Sequence, residues 1–543
     1  MAPMYAKTAN VGTLTTRAMN YFGRQKMRLK TLGFAALTAT LAACGGGGGG
    51  STPVAVTPPP VTCTAPAVLT NGVCVTPAPT VSVQLTKSKT SVGSPVTLSW
   101  SSTNATSCVG MDALSGTKAI NNSEVITPTA GGQFKYTIRC DGAGGTAKQS
   151  VALIVPMPVF KTSYENKNNI DFGNTAIPSI RYMGIPKVYA DETDSPDRSV
   201  TFADFTQEGK YSAFTHVNRN ANKYGLPNLN DVPGVAYFVQ QDENDKWVDI
   251  SSKLIPNVAD RTTCITNSYS FTADLNNDGK PDVYLACSGL EAGRGTVPGV
   301  DFETTQRASQ VIFLSQPDGT YKRVESTYLI YAHKAALADI DGDGNVDVVT
   351  ADPYNVNDGL PFILWGNGDG TFRRDDTVFT KNLWNYTDRN SGGVWNVELI
   401  PDNGKLNLLL LGFNKTLIVK DFGSAVKTGI DYAMASVVTL PKYSTGDMYS
   451  LIIDTVFINN SYYFDATVYS TAVSGDMIIT LFKYDANGVY QSTPYNFVNT
   501  KANWSTFIAQ VKPQNGKFIA YGSGCPPVGG PNQGMCAMSV PIQ

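Results

Sequence analysis

Three features of the 543-residue chain predict an all-β protein, with a β-propeller of six or seven blades preceded by a small β-sandwich and a flexible tether. The first is strand-like alternation of apolar and polar residues over most of the chain beyond residue 80. The second is a turn centred on Gly or Asn that recurs at intervals of 56 to 70 residues from Gly209 to Gly516. The third is composition: 42% hydrophobic and 10% aromatic residues supply material for several cores, and 50 Gly and 31 Pro supply turns. A net charge of −2 leaves no electrostatic footprint for nucleic acid. Two histidines, His216 and His333, cannot build a multi-His zinc site.

The first 43 residues carry six Lys or Arg and no acid. From Met27 the pattern sharpens into basic Arg28 and Lys30, an apolar run over 31–41, then Leu41-Ala42-Ala43-Cys44. A charged start, a short apolar stretch and small residues before a cleavage point describe a secretory signal. A run of about ten residues is too short to span a bilayer. Residues 1–43 therefore read as a dispensable extension followed by a signal that starts at about residue 27. The box ending in Cys44 resembles the bacterial lipobox, which implies lipidation of Cys44 and a cell-envelope protein held to the membrane by an N-terminal lipid anchor. Gly45 rather than Asp after the Cys resembles the outer-membrane sorting pattern.

Residues 44–80 form the tether. Gly45–Gly50 and the Pro/Thr-rich stretch to Pro60 cannot bury a core. Cys63 and Cys74 bracket Asn71-Gly72, a turn signal, and predict a small stapled knuckle. Fully extended, the segment reaches roughly 100 Å at about 3.3 Å per residue. Without Cys44, eight of the nine cysteines remain in four neighbouring pairs: Cys63/Cys74, Cys108/Cys140, Cys264/Cys287 and Cys525/Cys536. Export makes disulfides the expected state, and no pair has the CxxC spacing of redox or zinc sites.

Residues 81–156 alternate in runs such as Val81-Ser-Val83-Gln-Leu85, Val96-Thr-Leu98-Ser-Trp100 and Val151-Ala-Leu153-Ile-Val155, which predicts the sandwich. Ser99-Trp100-Ser101 before Cys108, with Tyr136 before Cys140, resembles small bacterial immunoglobulin-like domains. That resemblance implies a spacer or adhesive module.

Residues 157–543 repeat. The clearest units are Phe271-Thr-Ala-Asp274-Leu-Asn276-Asn-Asp278-Gly279-Lys280-Pro-Asp282 and Ala336-Leu-Ala-Asp339-Ile-Asp341-Gly-Asp343-Gly344-Asn345-Val-Asp347. Each is followed by an apolar run and a hairpin signal, Asp318-Gly319 and Asp369-Gly370. Weaker copies lie at Asp204–Glu208 and around Gly404, Asn460 and Gly516. Two strands around each loop and two around each hairpin make four per unit, hence blades of a propeller. The last unit is too short for its own four strands, and the segment 181–190 is expected to complete it.

The pattern D-x-[DN]-x-D-G-x-x-D supplies the hard oxygen ligands that Ca²⁺ requires. The first set is Asp274, Asn276, Asp278, Lys280 (through its carbonyl) and Asp282; the second is Asp339, Asp341, Asp343, Asn345 (through its carbonyl) and Asp347. Like charges about 4 Å apart cost roughly 4 kcal/mol per pair at an effective dielectric near 20, so four carboxylates in one loop call for a cation. Leu285 and Thr350 at the twelfth position exclude an EF-hand. The Asp204–Glu208 copy has weaker ligands, and the last three copies are expected to be metal-free. These repeats resemble the FG-GAP/VCBS family, which includes the propeller of integrin α chains. The resemblance implies calcium that stabilises blade loops, usually away from the ligand-binding face.

No spacing singles out a catalytic pair. Glu291, Asp301, Glu303, Asp388 and Glu398 read for the most part as solvated loop carboxylates, and His216 and His333 as packing or surface residues. Trp384, Tyr386 and Trp395 offer stacking surfaces for sugars or protein, with blade packing as the plainer role. The expected function is a binding or adhesion module for a glycan or protein. A carbohydrate-active enzyme (polysaccharide lyase or hydrolase) and a structural scaffold of an envelope assembly are the alternatives.

Overall fold

The computed structural model describes residues 60–169, 181–182, 195–196, 200–218, 234–264, 266–288, 307–352, 360–383, 394–412, 415–440, 447–470, 477–491, 495–497, 510–523 and 535–542. The chain divides into two units at 62/63. Residues 1–59, with the expected signal, Cys44 and the first part of the tether, lie outside the described residues. Among the described residues no helix is long and apolar enough to cross a membrane.

Beyond Cys63 the fold is all-β. The knuckle is a hairpin, Val68–Thr70 against Val73–Val75, closed by Cys63–Cys74. Its turn needs left-handed backbone at both central positions, which Asn71 (φ 49°) and Gly72 (φ 81°) adopt. Next comes a pair of sheets. One orders Thr80–Leu85, Val96–Thr103 and Asn122–Ile126. The other orders Thr117–Lys118, Ser107–Asp112, Gly132–Gly142 and Gly145–Val155. Val83, Leu98, Trp100, Ile138 and Leu153 fill the space between them. The Trp100 indole finds a partner for its N–H in Ala119 O at 2.8 Å. Cys108 and Cys140 are directly opposed on adjacent strands and bonded.

Among the described residues six antiparallel sheets follow, all but the last built of strands consecutive in sequence. The second runs Thr266–Ala273, Asp282–Ser288, Ala308–Ser315, Tyr321–Ile330, and the third Ala335–Ala338, Asp347–Thr350, Phe362–Gly366, Phe372–Asp375. The fourth begins with Val394–Asp402 and Lys405–Gly412, and the fifth with Asp447–Ile458 and Ser461–Ser470. The first has five strands because its leading strand is split into Ser195–Pro196 and Thr201–Ala203. The sixth contains Gln510–Gln514, Lys517–Ser523 and Met535–Pro541, and its fourth strand is Arg181–Tyr182. A segment preceding the repeats thus pairs with the strand Met535–Pro541.

Each recurring anchor lies between the first two strands of its sheet. All six have positive φ: Gly209 69°, Gly279 78°, Gly344 96°, Gly404 78°, Asn460 58° and Gly516 72°. Asn460 is the one non-glycine, a residue whose short amide tolerates the left-handed region.

Packing is what gives the sheets their order. Alternate residues of one strand enter different cores, as the two-residue period of a strand requires. Val283 and Leu285 pack towards the first sheet, whereas Tyr284 and Ala286 pack towards the third. Leu408 and Leu410 join the third sheet's core, whereas Leu409 and Leu411 join the fifth's. Coverage on both faces explains the unbroken apolar run Leu408–Leu411, which no one-sided sheet would tolerate. A further core joins the fifth sheet to the sixth through Tyr463 and Phe518. Val200, Phe202, Ile519 and Tyr521 join the sixth to the first, so the packing order closes on itself.

Candidate functional site

Antiparallel strands place the connections of each sheet at two ends. Loops between first and second strands share one end with the hairpins between third and fourth, while the other connections begin and end at the opposite end. The acidic loops occupy the first of these ends and touch: Asn277 Nδ2 donates to Asn345 Oδ1 at 2.7 Å.

In the second acidic loop, Asp339, Asp341 and Asp347 bring carboxylate oxygens within 4.8 Å of one another, the one such group of three among the described residues. Asp339 accepts from Gly342 N and Gly344 N at 2.8 and 3.1 Å, and Asp341 from Asp343 N at 3.1 Å. Asp347 accepts from Ile340 N and Gly366 N at 2.9 and 2.8 Å, tying the loop to the third strand. Burial pushes the Asp347 carboxyl up to about 7, two backbone N–H groups oppose the shift, and Asp341 and Asp343 add to it. A carboxyl so placed lacks positive charge nearby, which is the deficit a divalent cation removes. Asp343 turns aside to Asn345, accepting from its N and Nδ2 at 2.8 Å each. The hard-oxygen donor set fits Ca²⁺.

The first acidic loop fits less closely. Asp274 accepts from Asp278 N and Gly279 N, and Asn276 Oδ1 from Asp278 N. Asp282 is buried, accepts from Leu275 N at 2.7 Å and Ser315 N at 2.6 Å, and is pushed up by burial to about 7. Asp278, however, already has the Lys280 ammonium at 3.5 Å and Ser315 Oγ at 2.9 Å. That lysine, which donates to Gln316 O at 2.8 Å, supplies positive charge where a metal would.

The axis of the ring holds a second constellation, which the sequence did not announce. Ser163–Asn169 forms a seven-residue helix capped by Thr162, whose Oγ1 accepts from Glu165 N and donates to Glu165 Oε2. So short a helix is marginal alone, and its contacts with first strands hold it. Leu337 N donates to Ser163 Oγ, Asn166 Nδ2 to Phe202 O, and Tyr164 Oη to Phe457 O. Lys167 Nζ reaches both Asp454 oxygens at 2.8 Å, and Lys334 Nζ reaches Glu398 Oε2 and Asp454 Oδ1 at 2.8 Å. Glu398 is thus not the solvated loop carboxylate the sequence suggested: it lies on the strand Val394–Asp402, 3% exposed, and neutralises Lys334. Burial raises the Glu398 carboxyl against the pull of both lysines, whereas those lysines overcome burial at Asp454 and hold it low. What remains open beside the helix is a cavity of about 20 Å³, room for roughly one water.

The end opposite the acidic loops carries the other polar groups. His333 is buried, not at the surface; its Nδ1 lies 2.7 Å from Asn396 Oδ1 and its ring meets Trp395 edge-on at 5.3 Å. Asn396 Nδ2 donates to Ile452 O at 2.7 Å, which orients the amide oxygen towards the imidazole. Asp352 accepts from Tyr331 N at 3.2 Å and pairs with Arg307 Nε at 3.5 Å. His216 is also buried. Glu291, Asp301, Glu303, Asp388, Trp384, Tyr386 and Cys525 lie outside the described residues, as does the side chain of Cys536. Cys264 and Cys287 are bonded, joining the connection after the first sheet to a strand of the second.

No family model matches the chain. No curated protein matches it either. Among solved structures, it is similar to a quinonprotein alcohol dehydrogenase-like protein of Bacteroides thetaiotaomicron, with 10% identity, 75% of this chain and 95% of that one covered, and a TM-score of 0.27. A Bacillus subtilis levansucrase in complex with oligosaccharides gives 9% identity over 70% and 89%, with a TM-score of 0.28. A Synechocystis apocarotenoid oxygenase gives 11% over 66% and 84%, with a TM-score of 0.26. Likeness at this level carries no argument about activity.

Proposed function

We propose that the chain is a bacterial cell-envelope lipoprotein, anchored through Cys44 in the outer membrane, and that its six sheets are the blades of a β-propeller acting as a binding or adhesion module. The observation that carries this reading is the filled axis. The Ser163–Asn169 helix and the mutually neutralised charges of Lys167, Lys334, Glu398 and Asp454 leave beside the helix, among the described residues, a cavity with room for about one water. Recognition then falls to the exposed ends of the ring, where partly buried Trp395 offers a stacking face for a glycan or a protein side chain. Calcium held by Asp339, Asp341 and Asp347, with Asp343 and the Asn345 carbonyl completing the loop, would neutralise that loop and stiffen the end away from Trp395. The Asp274–Asp282 loop is its weaker counterpart.

A carbohydrate-active enzyme is the second reading, favoured by the His333–Asn396 pair. The oriented amide oxygen selects the tautomer with its proton on Nδ1, which makes Nε2 the basic nitrogen. Glycan and protein arrays probed with the purified chain, with and without EDTA, test the proposal. Stable capture with no change in the glycan supports binding. Glycan cleavage that disappears in His333→Ala would establish the enzyme instead, and silence on both arrays would sink the binding role.

A further inference from the structure

The loop Asp204–Glu208 is a degenerate copy of the acidic loops, and its carboxylate has found another use. Asp204 Oδ1 accepts from Glu208 N at 2.9 Å, and Oδ2 accepts from Gly209 N at 2.7 Å, the two bonds that Asp274 makes in the first acidic loop. Oδ2 also accepts from Met157 N at 3.0 Å, a backbone donor just past the last strand of the sandwich. Gln133 Nε2 of the sandwich donates to Glu208 O at 2.8 Å. Gly209 lies so near the sandwich that a Cβ there would fall 2.5 Å from Gly132 O and 2.9 Å from Val155 O. No counterpart of these three contacts exists at the other acidic loops among the described residues. The seam is narrow: beside it, a cleft of about 190 Å³ separates Lys89 from Thr206, Gln207 and the Ser315–Tyr321 hairpin.

The sandwich is oriented as well as held. Its Gly132–Gly142 strand begins at the ring and runs eleven residues away, roughly 33–37 Å at about 3.3 Å per residue. The chain enters at the far end, where Pro77 O lies against Gly144 and Asn104 Nδ2 donates to Ala78 O at 3.3 Å. The tether therefore arrives at one end of the sandwich and the ring is gripped at the other, by its acidic-loop end.

We infer that Asp204 is a latch that fixes the sandwich to the acidic-loop end of the ring, making the sandwich a rigid strut between the chain's entry at Pro77 and the ring, with Trp395 and His333 left at the ring's opposite end. The latch does not rest on the binding reading.

The test is a distance measurement between labels placed by non-cysteine chemistry at exposed Ala143 and Lys427 in the whole chain. Met157→Pro removes the N–H donor, and Gln133→Ala the second bond; Met157 lies in the connection after the last sandwich strand and Gln133 in the sandwich, outside the strands of the six sheets, whose melting reports that they stay folded. The wild type should give one narrow distance. The double variant should give a broad one, and trypsin should cut after Lys161 about ten- to a hundredfold faster, the change expected for losing a hydrogen bond to a charged group. A broad distance in the wild type, or an unchanged narrow one in the double variant, would overturn the latch. So would a loss of one equivalent of bound calcium in Asp204→Asn, which would make that residue a metal ligand. None of these readouts needs a glycan or protein ligand or a lipid, so failure of the latch and failure of the binding role are separate results.

Discussion

Lys334→Met should be among the most damaging single substitutions in the ring, and its size can be worked from the axial cluster. Lys334 is 1% exposed and donates to Glu398 Oε2 and Asp454 Oδ1, both at 2.8 Å, and to Ile453 O at 3.3 Å. Without its charge, two buried carboxylates share Lys167 alone, which reaches Asp454 at 2.8 Å but Glu398 only at 3.8 Å. Breaking a buried pair from one side costs about 3–5 kcal/mol, because the surviving charge is left uncompensated. The loss should depend on pH. Burial already holds the Glu398 carboxyl above its ordinary value, with Lys334 and Lys167 opposing, so removing Lys334 raises it further. A carboxyl whose folded pKa exceeds its unfolded one loses stability as pH rises through the folded value. The deficit should therefore be smaller near pH 5 than near pH 8, and Lys334→Met with Glu398→Gln should recover part of it. Guanidinium unfolding of wild type, single and double variants at both pH values measures this. A cost below about 1 kcal/mol, the size of an exposed pair, with no pH dependence would refute the account of a dry, mutually neutralised axis.

Calcium at about 100 times its dissociation constant should stabilise the ring by about 2.7 kcal/mol per site. Asp339→Ala should abolish most of that shift and Asp402→Ala almost none; identical melting in calcium and EDTA would remove the metal. Asp465 is fully buried, makes no hydrogen bond through either oxygen among the described residues, and is held well above its ordinary pKa by burial and by Asp454. Asp465→Val should therefore stabilise by about 1–3 kcal/mol at neutral pH, more at higher pH where the buried acid must ionise, as denaturant unfolding would reveal. Opening Cys264–Cys287, which closes 23 residues of chain, by a double Ser substitution should cost about 2–4 kcal/mol in the same assay.

Local chemistry made the repeat legible. A turn that needs left-handed backbone selects Gly or Asn wherever it recurs, so Gly209, Gly279, Gly344, Gly404, Asn460 and Gly516 marked six sheets without reference to anything distant. Neighbouring cysteines in the same segment, together with the expectation of export, anticipated the bonds at Cys63–Cys74, Cys108–Cys140 and Cys264–Cys287. The acidic loops were visible because all their acidic and amide side chains lie within nine residues. Which of them converge was not: Asp343 turns to Asn345 and Asp278 to Lys280, choices set by side-chain competition within the folded loop.

Only the tertiary structure decided the axis and the junction. Lys334, Glu398 and Asp454 are separated by 64 and 56 residues or more, and they meet only because each lies at or beside the first strand of successive sheets. Glu398 read as solvated because a lone acid in sequence carries no sign of its distant partner. The Ser163–Asn169 helix left one trace, the Thr162 cap three residues before Glu165, too little to predict seven residues that first strands of other sheets hold in place. Asp204 shows the same limit. Its sequence resembles a metal loop with poor ligands, and its carboxylate is claimed by Met157 N, 47 residues earlier in the chain. Turns and disulfides were determined by neighbours along the chain; charge pairs, plug and latch were determined by closure of the ring, which no local pattern encodes.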